Sequence, residues 1–457
     1  MPLETTSLAL LADAVARLGE GFTHLPPFEP EVPGASRMAE VLAGVADRLQ
    51  DNFPYFHPLY AGQMLKPPHP VARAAYALAT WINPNNHALD GGRASSAMEK
   101  EAVAQLAELF GWSDHLGHLT GGGTMANLEA LWVAGKLAPG RTVLASAQSH
   151  YTHQRISGVL GLPFEKVRSD MLGRMDIPAL EARLAQGGVG TVVATLGTTG
   201  LGAVDPLPRI LDLRAEYGFR LHIDAAYGGY FCLARNMSSD ARAAFDRISE
   251  ADSLVIDPHK HGLQPYGCGC VLFRDPSVGR LYKHDSPYTY FSSRDLHLGE
   301  ISLECSRPGA AAVALWATQQ LLPLVPGGEF ARGLEASREA ALGLAAWLNS
   351  DPRFVVPVQP ELDIVVWAPR APTASTASAI SQQIFDAAAS RNLHLALVQL
   401  PVGMYAAALP DLEADSPALL SLRSVLMKPE HLSWLHALQT TLSDACSSPS
   451  GHTPARG

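Results

Sequence analysis

Between Val71 and about Leu324 the chain alternates helical patterns with short β-branched runs: Thr142 to Ala145, Gly190 to Leu196, Arg220 to Asp224, Ser253 to Asp257 and Gly269 to Phe273. A short apolar strand followed by a helix returns to its sheet by a crossover, which makes the next strand parallel to it. Alternation sustained over this length predicts an α/β unit with a mostly parallel central sheet and helices on both faces. The pattern changes after Leu324. Pro326-Gly327-Gly328 precedes a long Ala- and Leu-rich helical stretch to Asn349, a strand-like Leu362 to Trp367, a helix to about Ala388, an apolar strand from Leu422 to Met427 and a last helix from Pro429. That order fits a small C-terminal α+β domain over 325–446. Residues 1–70 read as an N-terminal helical arm with one helical pattern, Leu8 to Leu18. The proline- and aromatic-rich Phe53 to Tyr60 follows, suited to packing on another surface. The Ser-, Pro- and Gly-rich 447–457 reads as a disordered tail.

Composition narrows the partners. With 457 residues, 47% of them apolar, the chain can bury one large core and at least one smaller one. A formal net charge of −10 argues against electrostatic binding to nucleic acid or an anionic membrane. The five cysteines, Cys232, Cys268, Cys270, Cys305 and Cys446, form no CxxC pair and no zinc spacing, so no metal site is expected. Cys268 and Cys270 alternate in a strand-like run and read as small hydrophobes in a reducing compartment. Asp13 and Arg17 interrupt the apolar Leu8 to Leu18, no basic segment precedes it, and no apolar run spans a bilayer. A cytoplasmic enzyme is the default these features leave.

In an open parallel sheet, ligands bind at the carboxyl ends of the strands, so the residues following each strand carry the test of function. Five such places hold polar groups. Thr120-Gly121-Gly122-Gly123-Thr124 runs into an apolar helical pattern. Glycines admit an anion to the backbone, a helix N-terminus offers free N–H groups, and Thr124 adds a hydroxyl. The run is neither a Walker A loop nor a GxGxxG fingerprint, and taken alone such a segment is more often a turn with no ligand. His150 follows the strand ending at Ala145, where an imidazole can stack on a flat heteroaromatic ring; His153, one turn on, reads as a supporting or surface residue. Thr195-Leu196-Gly197-Thr198-Thr199-Gly200 is a strand end with hydroxyls. Asp224 closes a buried strand and needs a cationic partner, or else caps the next segment, while Ala226 leaves room for a ring. Lys260 stands at the lip of Ser253 to Gly262, where partial desolvation favours the neutral amine that attacks an aldehyde; a lone lysine there is more often a solvated charge. An anion cradle, a stacking imidazole, a carboxylate for a pyridinium nitrogen and an amine for an aldehyde together describe pyridoxal 5'-phosphate.

These motifs, with His57-Pro58 before them and Leu303 to Trp316 after, stand in the order and spacing of a known family. The sequence resembles the group II pyridoxal-phosphate-dependent amino-acid decarboxylases, the family of aromatic amino-acid, tyrosine and glutamate decarboxylases. The resemblance covers most of the chain. It implies the aminotransferase type I fold, pyridoxal 5'-phosphate as cofactor, a homodimer whose subunits share each active site, and an L-amino acid substrate, aromatic ones included. The reaction it implies gives amine and carbon dioxide through a Lys260 Schiff base.

Family roles then fall on matched positions. Asp224 pairs with the ring nitrogen, His150 stacks on the ring, Ala226 packs on the opposite face, and Gly122, Gly123, Thr124 and His259 hold the phosphate, with Thr198 and Thr199 close by. Tyr288, Tyr290 and His150 are candidate proton donors. His57, Tyr60 and His87 are expected around the substrate, across the subunit boundary, and Arg307 either binds a carboxylate or caps the helix after it. Departures from the family are His261-Gly262 directly after Lys260, a missing lysine before Trp316, and no assured match for the catalytic-loop tyrosine. Transamination, aldehyde formation or carbon-carbon lysis are the other outcomes of the same chemistry. A degenerate regulatory homologue is the non-enzymatic alternative, against which retention of Lys260, Asp224 and His150 together argues.

Overall fold

A computed structural model describes residues 3–29, 34–87, 91–283 and 301–447. The arm holds two helices, α1 (Thr6–Glu20) and α2 (Ala35–Leu49), rather than the one expected. On α2, Met38, Val41, Leu42, Val45 and Leu49 recur at helical spacing, yet every one is exposed in a single chain. The helix α3 (Pro70–Thr80) receives α1, and the Arg73 guanidinium reaches Glu4 and Ser7. Between the arm helices and α3, the proline- and aromatic-rich segment runs as a strap against the C-terminal unit. Ala61 N–H donates to His394 O at 2.8 Å and Val425 N–H donates to Ala61 O at 2.8 Å.

After α4 (Arg93–Leu109) come β1 (Leu116–Thr120), α5 (Gly123–Leu137), β2 (Thr142–Ser146), α6 (Thr152–Leu160), β3 (Phe164–Val167) and α7 (Ile177–Leu184). The chain continues through β4 (Val189–Thr195), α8 (Leu207–Tyr217), β5 (Arg220–Asp224), α9 (Ser239–Phe245), β6 (Ser253–Ile256) and β7 (Gly269–Phe273). These strands form one sheet in the order β1-β7-β6-β5-β4-β2-β3. The pairs from β3 through β6 are parallel, as the alternation predicts, while β7 runs antiparallel to both β6 and β1. The reversal has a local cause: the segment from Asp257 to Cys268 carries two prolines and two glycines, and forms no crossover helix.

Central strands are buried on both faces. In β5, Leu221 and Ile223 are fully covered on one side and His222 and Asp224 on the other. Each such aliphatic side chain stabilises the fold by about 1.5–3 kcal/mol relative to exposure. Register then sets the site: Thr195 at the end of β4 lies beside Asp224 at the end of β5, which lies beside Val255 on β6. All three strands end on the same edge.

The C-terminal part begins with α10 (Gly309–Leu321) and α11 (Glu329–Ser350), followed by β8 (Phe354–Val355), β9 (Ile364–Pro369), α12 (Ala374–Ala389), β10 (Ala396–Pro401), β11 (Ala418–Val425) and α13 (Leu435–Ser447). Its strands make a separate antiparallel sheet, β10-β11-β9-β8, around the fully buried Trp367. The strand expected at 362–367 starts two residues later and that at 422–427 begins and ends earlier. The edge strand β10, which buries only Ala396 and Leu400 and ends in proline, gave no strong pattern in the sequence. Ser447 closes α13, and the rest of the expected tail lies outside the described residues.

Candidate active site

A cavity of about 560 Å³ opens at the carboxyl ends of the parallel strands. Four of the five chemical motifs meet there through groups from Gly121 to Thr124, His150, Asp224 with Ala226, and His259 with Lys260; the fifth supplies Thr195, Gly197 and Thr199.

The glycine run connects β1 to α5. Gly122 has φ 149° and ψ 175°, a conformation essentially restricted to glycine. A Cβ on Gly123 would lie 2.6 Å from Asp257 Oδ2, so the close approach of this loop to the β6 end depends on the absence of a side chain. The first residues of α5, Gly123, Thr124 and Met125, line the cavity at a helix start, where N–H groups are free to hold an anion. Glu304 also reaches the loop, accepting the Gly121 N–H at 3.0 Å on Oε2.

Asp224 is 5% exposed. Its Oδ1 accepts Ala226 N–H at 3.1 Å, and its Oδ2 accepts from His153 Nε2 at 2.8 Å. Burial pushes the carboxyl pKa up, but the His153 hydrogen bond and charge, with Lys260 and the Ala226 amide, outweigh it and hold the group well below the usual carboxylate range. Asp224 is therefore an ionised carboxylate facing a cavity, and it suits a ligand cation such as a protonated ring nitrogen. His153 is fully buried and acts by positioning Asp224. Its place one helical turn after His150 is the one signal that pointed to it.

His150 is half-buried. Its Nδ1 accepts the Thr152 N–H at 3.4 Å and lies 2.7 Å from the Thr152 hydroxyl. That leaves Nε2 as the ring atom available to a ligand. Burial lowers the His150 pKa, with Asp224 opposing, so the neutral imidazole is favoured. His259 Nδ1 donates to Cys268 O at 2.8 Å, and burial lowers its pKa too, against the opposing charge of Asp257.

Lys260 has a side chain 21% exposed, with Nζ 3.1 Å from Asp257 Oδ2. Asp257 is 2% exposed, and its other oxygen, Oδ1, is buried without a hydrogen-bond partner among the described residues. It was not among the expected site residues, although its i, i+3 relation to Lys260 lay in the same motif. Glu304, Tyr227 and Asn127 also line the cavity unannounced; no local pattern marks Glu304, which arrives from far along the chain.

Most of the other expected residues do not line the cavity. Thr198 is fully buried and its hydroxyl accepts the Ala203 N–H at 3.0 Å, so of the two threonines only Thr199 faces the cavity. The carboxylate that Arg307 binds is the chain's own Glu99. Its Nη1 donates to Glu99 Oε1 at 2.9 Å and to Leu119 O at 2.6 Å, which commits the guanidinium to the interior. Within one chain His57, Tyr60 and His87 are not among the residues that line the cavity. His57 packs edge-on against Trp434, the buried Tyr60 accepts the Gln63 N–H at 3.2 Å, and the His87 N–H donates to Asn85 Oδ1 at 3.2 Å. His261 turns away from the cavity as well, its ring packed on Tyr227 and Phe231. Tyr288 and Tyr290 lie outside the described residues.

A glycine-lined helix start for a phosphate, an ionised carboxylate for a ring nitrogen and an amine beside both fit pyridoxal 5'-phosphate. On a mostly parallel sheet with a small C-terminal unit, they define a pyridoxal-phosphate enzyme of the type I fold. Residues 133–369, just over half of the chain, match the model of the pyridoxal-dependent decarboxylase conserved domain. The chain belongs to that family, the amino-acid decarboxylases, which are carboxy-lyases with pyridoxal phosphate as cofactor.

Among its relatives, the probable L-tyrosine/L-aspartate decarboxylase of Methanothermobacter thermautotrophicus is 29% identical over 67% of this chain and 82% of its own length. The probable L-aspartate decarboxylase of Halobacterium salinarum is 33% identical over 66% of this chain and 80% of its own. The fold is also that of Oryza sativa TDC solved with PLP and tryptamine, at TM-score 0.77 and 18% identity, covering 98% of this chain and 100% of that one.

Proposed function

We propose that the chain removes the α-carboxyl group of an L-amino acid to give an amine and carbon dioxide, with tyrosine and aspartate the first substrates to assay. The observation that carries this reading is the meeting of Lys260, Asp224 and His150 at one cavity beside the glycine cradle. The choice of substrates rests on the names of the two relatives.

Bound pyridoxal 5'-phosphate supplies an aldehyde that takes up amines and a protonated ring that accepts the electron pair left when carbon dioxide departs. Gly122, Gly123, Thr124 and His259 would hold its phosphate, Asp224 its ring nitrogen, and His150 and Ala226 its two faces. Asp224, kept ionised by His153, favours a proton on whatever nitrogen it faces. Lys260 is the attachment amine, and Asp257 receives its ammonium whenever it is free. His150, neutral and half-buried, can orient a carboxylate through Nε2 while leaving that carboxylate poorly hydrated, and loss of neutral carbon dioxide is favoured where water is excluded. His150, Tyr288 and Tyr290 are our candidates for the proton returned to the α carbon.

We infer a homodimer with shared sites, supported by the exposed apolar stripe of α2 and by the absence of His57, Tyr60 and His87 from the cavity lining of their own chain. Sedimentation as a monomer at micromolar concentration would remove that inference. The unpaired cysteines support work in the cytoplasm, and we take 1–70, 71–324 and 325–446 as the arm, large and small domains.

The reading is tested with wild type and Lys260→Ala, each incubated with tyrosine, aspartate and a wider amino-acid panel. Wild type should release equal amounts of amine and carbon dioxide and carry a borohydride-trappable cofactor on Lys260; the variant should do neither. Aldehyde with ammonia, or a keto acid, as the main product would replace decarboxylation with another outcome.

A further inference from the structure

On the far side of Lys260 a second cavity, of about 380 Å³, lies between the strap, the start of α11 and the segment after β11. Its inner end holds two lysines. Lys428 is 3% exposed, and its Nζ donates to Tyr60 O at 2.6 Å; Lys66 Nζ donates to Met427 O at 3.1 Å. An ammonium carries three N–H donors, and these carbonyls take one from each. Among the described residues neither lysine has a carboxylate within ion-pairing distance.

His261, 1% exposed, lines the same space with Nδ1 unpartnered. Its Nε2 is 3.3 Å from Asp363 Oδ2 but not aligned for a hydrogen bond. Burial pushes Lys66 down to about 8 against the charges of Asp363 and Glu430, and pushes Lys428 down to about 7, with Lys66 adding to that shift and Glu430 opposing it. Buried cations in this condition are stabilised by an anion.

The rim has the opposite sign. Glu329 and Glu430 stand exposed at the mouth, and Leu263, Phe330 and Leu334 form apolar walls between rim and floor. Two lysines alone would suit inorganic phosphate. A dianion, however, meets the two glutamates on its way in and gains nothing from the apolar walls. A ligand that carries a carboxylate, an ammonium and an aliphatic side chain satisfies floor, rim and walls together.

We propose that this cavity is a second small-molecule site, distinct from the catalytic one, that takes a free aliphatic α-amino acid with its carboxylate on Lys66 and Lys428 and its ammonium toward Glu329 and Glu430. Its occupant would touch His261, the residue directly after Lys260. The departure from the family at that position therefore belongs to this second cavity and not to the catalytic one.

The test uses the holoenzyme after borohydride reduction, which blocks Lys260, with L-leucine as probe in a calorimetric titration. L-Leucine should bind once per chain with a dissociation constant of roughly millimolar or tighter. Lys428→Met should weaken binding at least tenfold. Glu430→Gln, at an exposed position that does not endanger folding, should weaken it about threefold, and 4-methylpentanoate, which lacks the ammonium, should bind more weakly than leucine. Absence of binding, binding indifferent to both substitutions, or tighter binding of inorganic phosphate than of leucine would each overturn the proposal.

Discussion

Asp257 keeps one oxygen 3.1 Å from the Lys260 ammonium and leaves the other buried and unpartnered. A hydrogen bond to a charged group is worth about 1.5–3 kcal/mol, so Asp257→Asn should lower kcat/KM roughly ten- to a hundredfold. It should also shift the pH dependence of the bound cofactor's absorbance; unchanged kinetics and spectra would show Asp257 to be structural. Lys260 was legible because a lysine at a strand's lip among four other polar strand ends has few uses. Asp257 shared its motif, but an i, i+3 carboxylate outside a helix says nothing of direction until the turn is folded. His222 shows the same divide. Its Nε2 donates to Asn127 Oδ1 at 2.8 Å and its Nδ1 accepts from Ser253 Oγ at 2.9 Å, which only the neutral ring can do. Burial pushes its pKa down to about 3. The unfolded chain takes up that proton near the usual histidine value, so stability is full above about 6.5 and falls as pH drops toward 3. The expected slope is about 1.4 kcal/mol per pH unit for this group, and urea midpoints between pH 7 and 4 should flatten by one proton in His222→Gln.

The junction of β1 and α5 is a device made by an element, since neither the strand nor the helix binds anything alone. The helix start was legible in the sequence because consecutive glycines before an apolar helical pattern are a local signal. Glu304 was not, because its approach to Gly121 depends on where the segment before α10 is laid down. Gly123→Ala would drive a Cβ to 2.6 Å from the Asp257 carboxylate. Affinity for pyridoxal 5'-phosphate, followed by absorbance titration of the apoenzyme, should fall at least tenfold while thermal unfolding of the apoenzyme moves little. A parallel loss of apoenzyme stability would assign Gly123 to packing. The reversed strand β7 belongs to this scale too: alternation predicts parallel pairing, and only a segment too interrupted for a crossover helix turned it round.

Across the whole molecule, one buried ion pair ties the site's frame together. Glu99 on α4 accepts Arg307 Nη1 at 2.9 Å and Leu119 N–H at 3.0 Å on Oε1, and Asn86 Nδ2 at 2.6 Å on Oε2. Removing one partner of such a pair leaves an uncompensated charge, so Glu99→Gln should destabilise by about 3–5 kcal/mol in urea unfolding. A loss below about 1 kcal/mol would mean that the pair is solvated. Arg307 also marks the limit of reading roles from sequence, since a carboxylate clamp, a helix cap and an interior tie look alike until the partner is known. By itself the sequence determined the alternation that makes the sheet, the strand ends that carry chemistry, and the lysine, aspartate and glycines that name the cofactor. Each is written within a few neighbouring residues as periodicity or polarity. Only the tertiary structure decided which of two threonines faces the cavity, that His153 and Asp257 support the charged groups, and that His261 turns toward a second cavity. Those facts depend on side chains brought together from distant segments, and packing, not local pattern, chooses which of them meet.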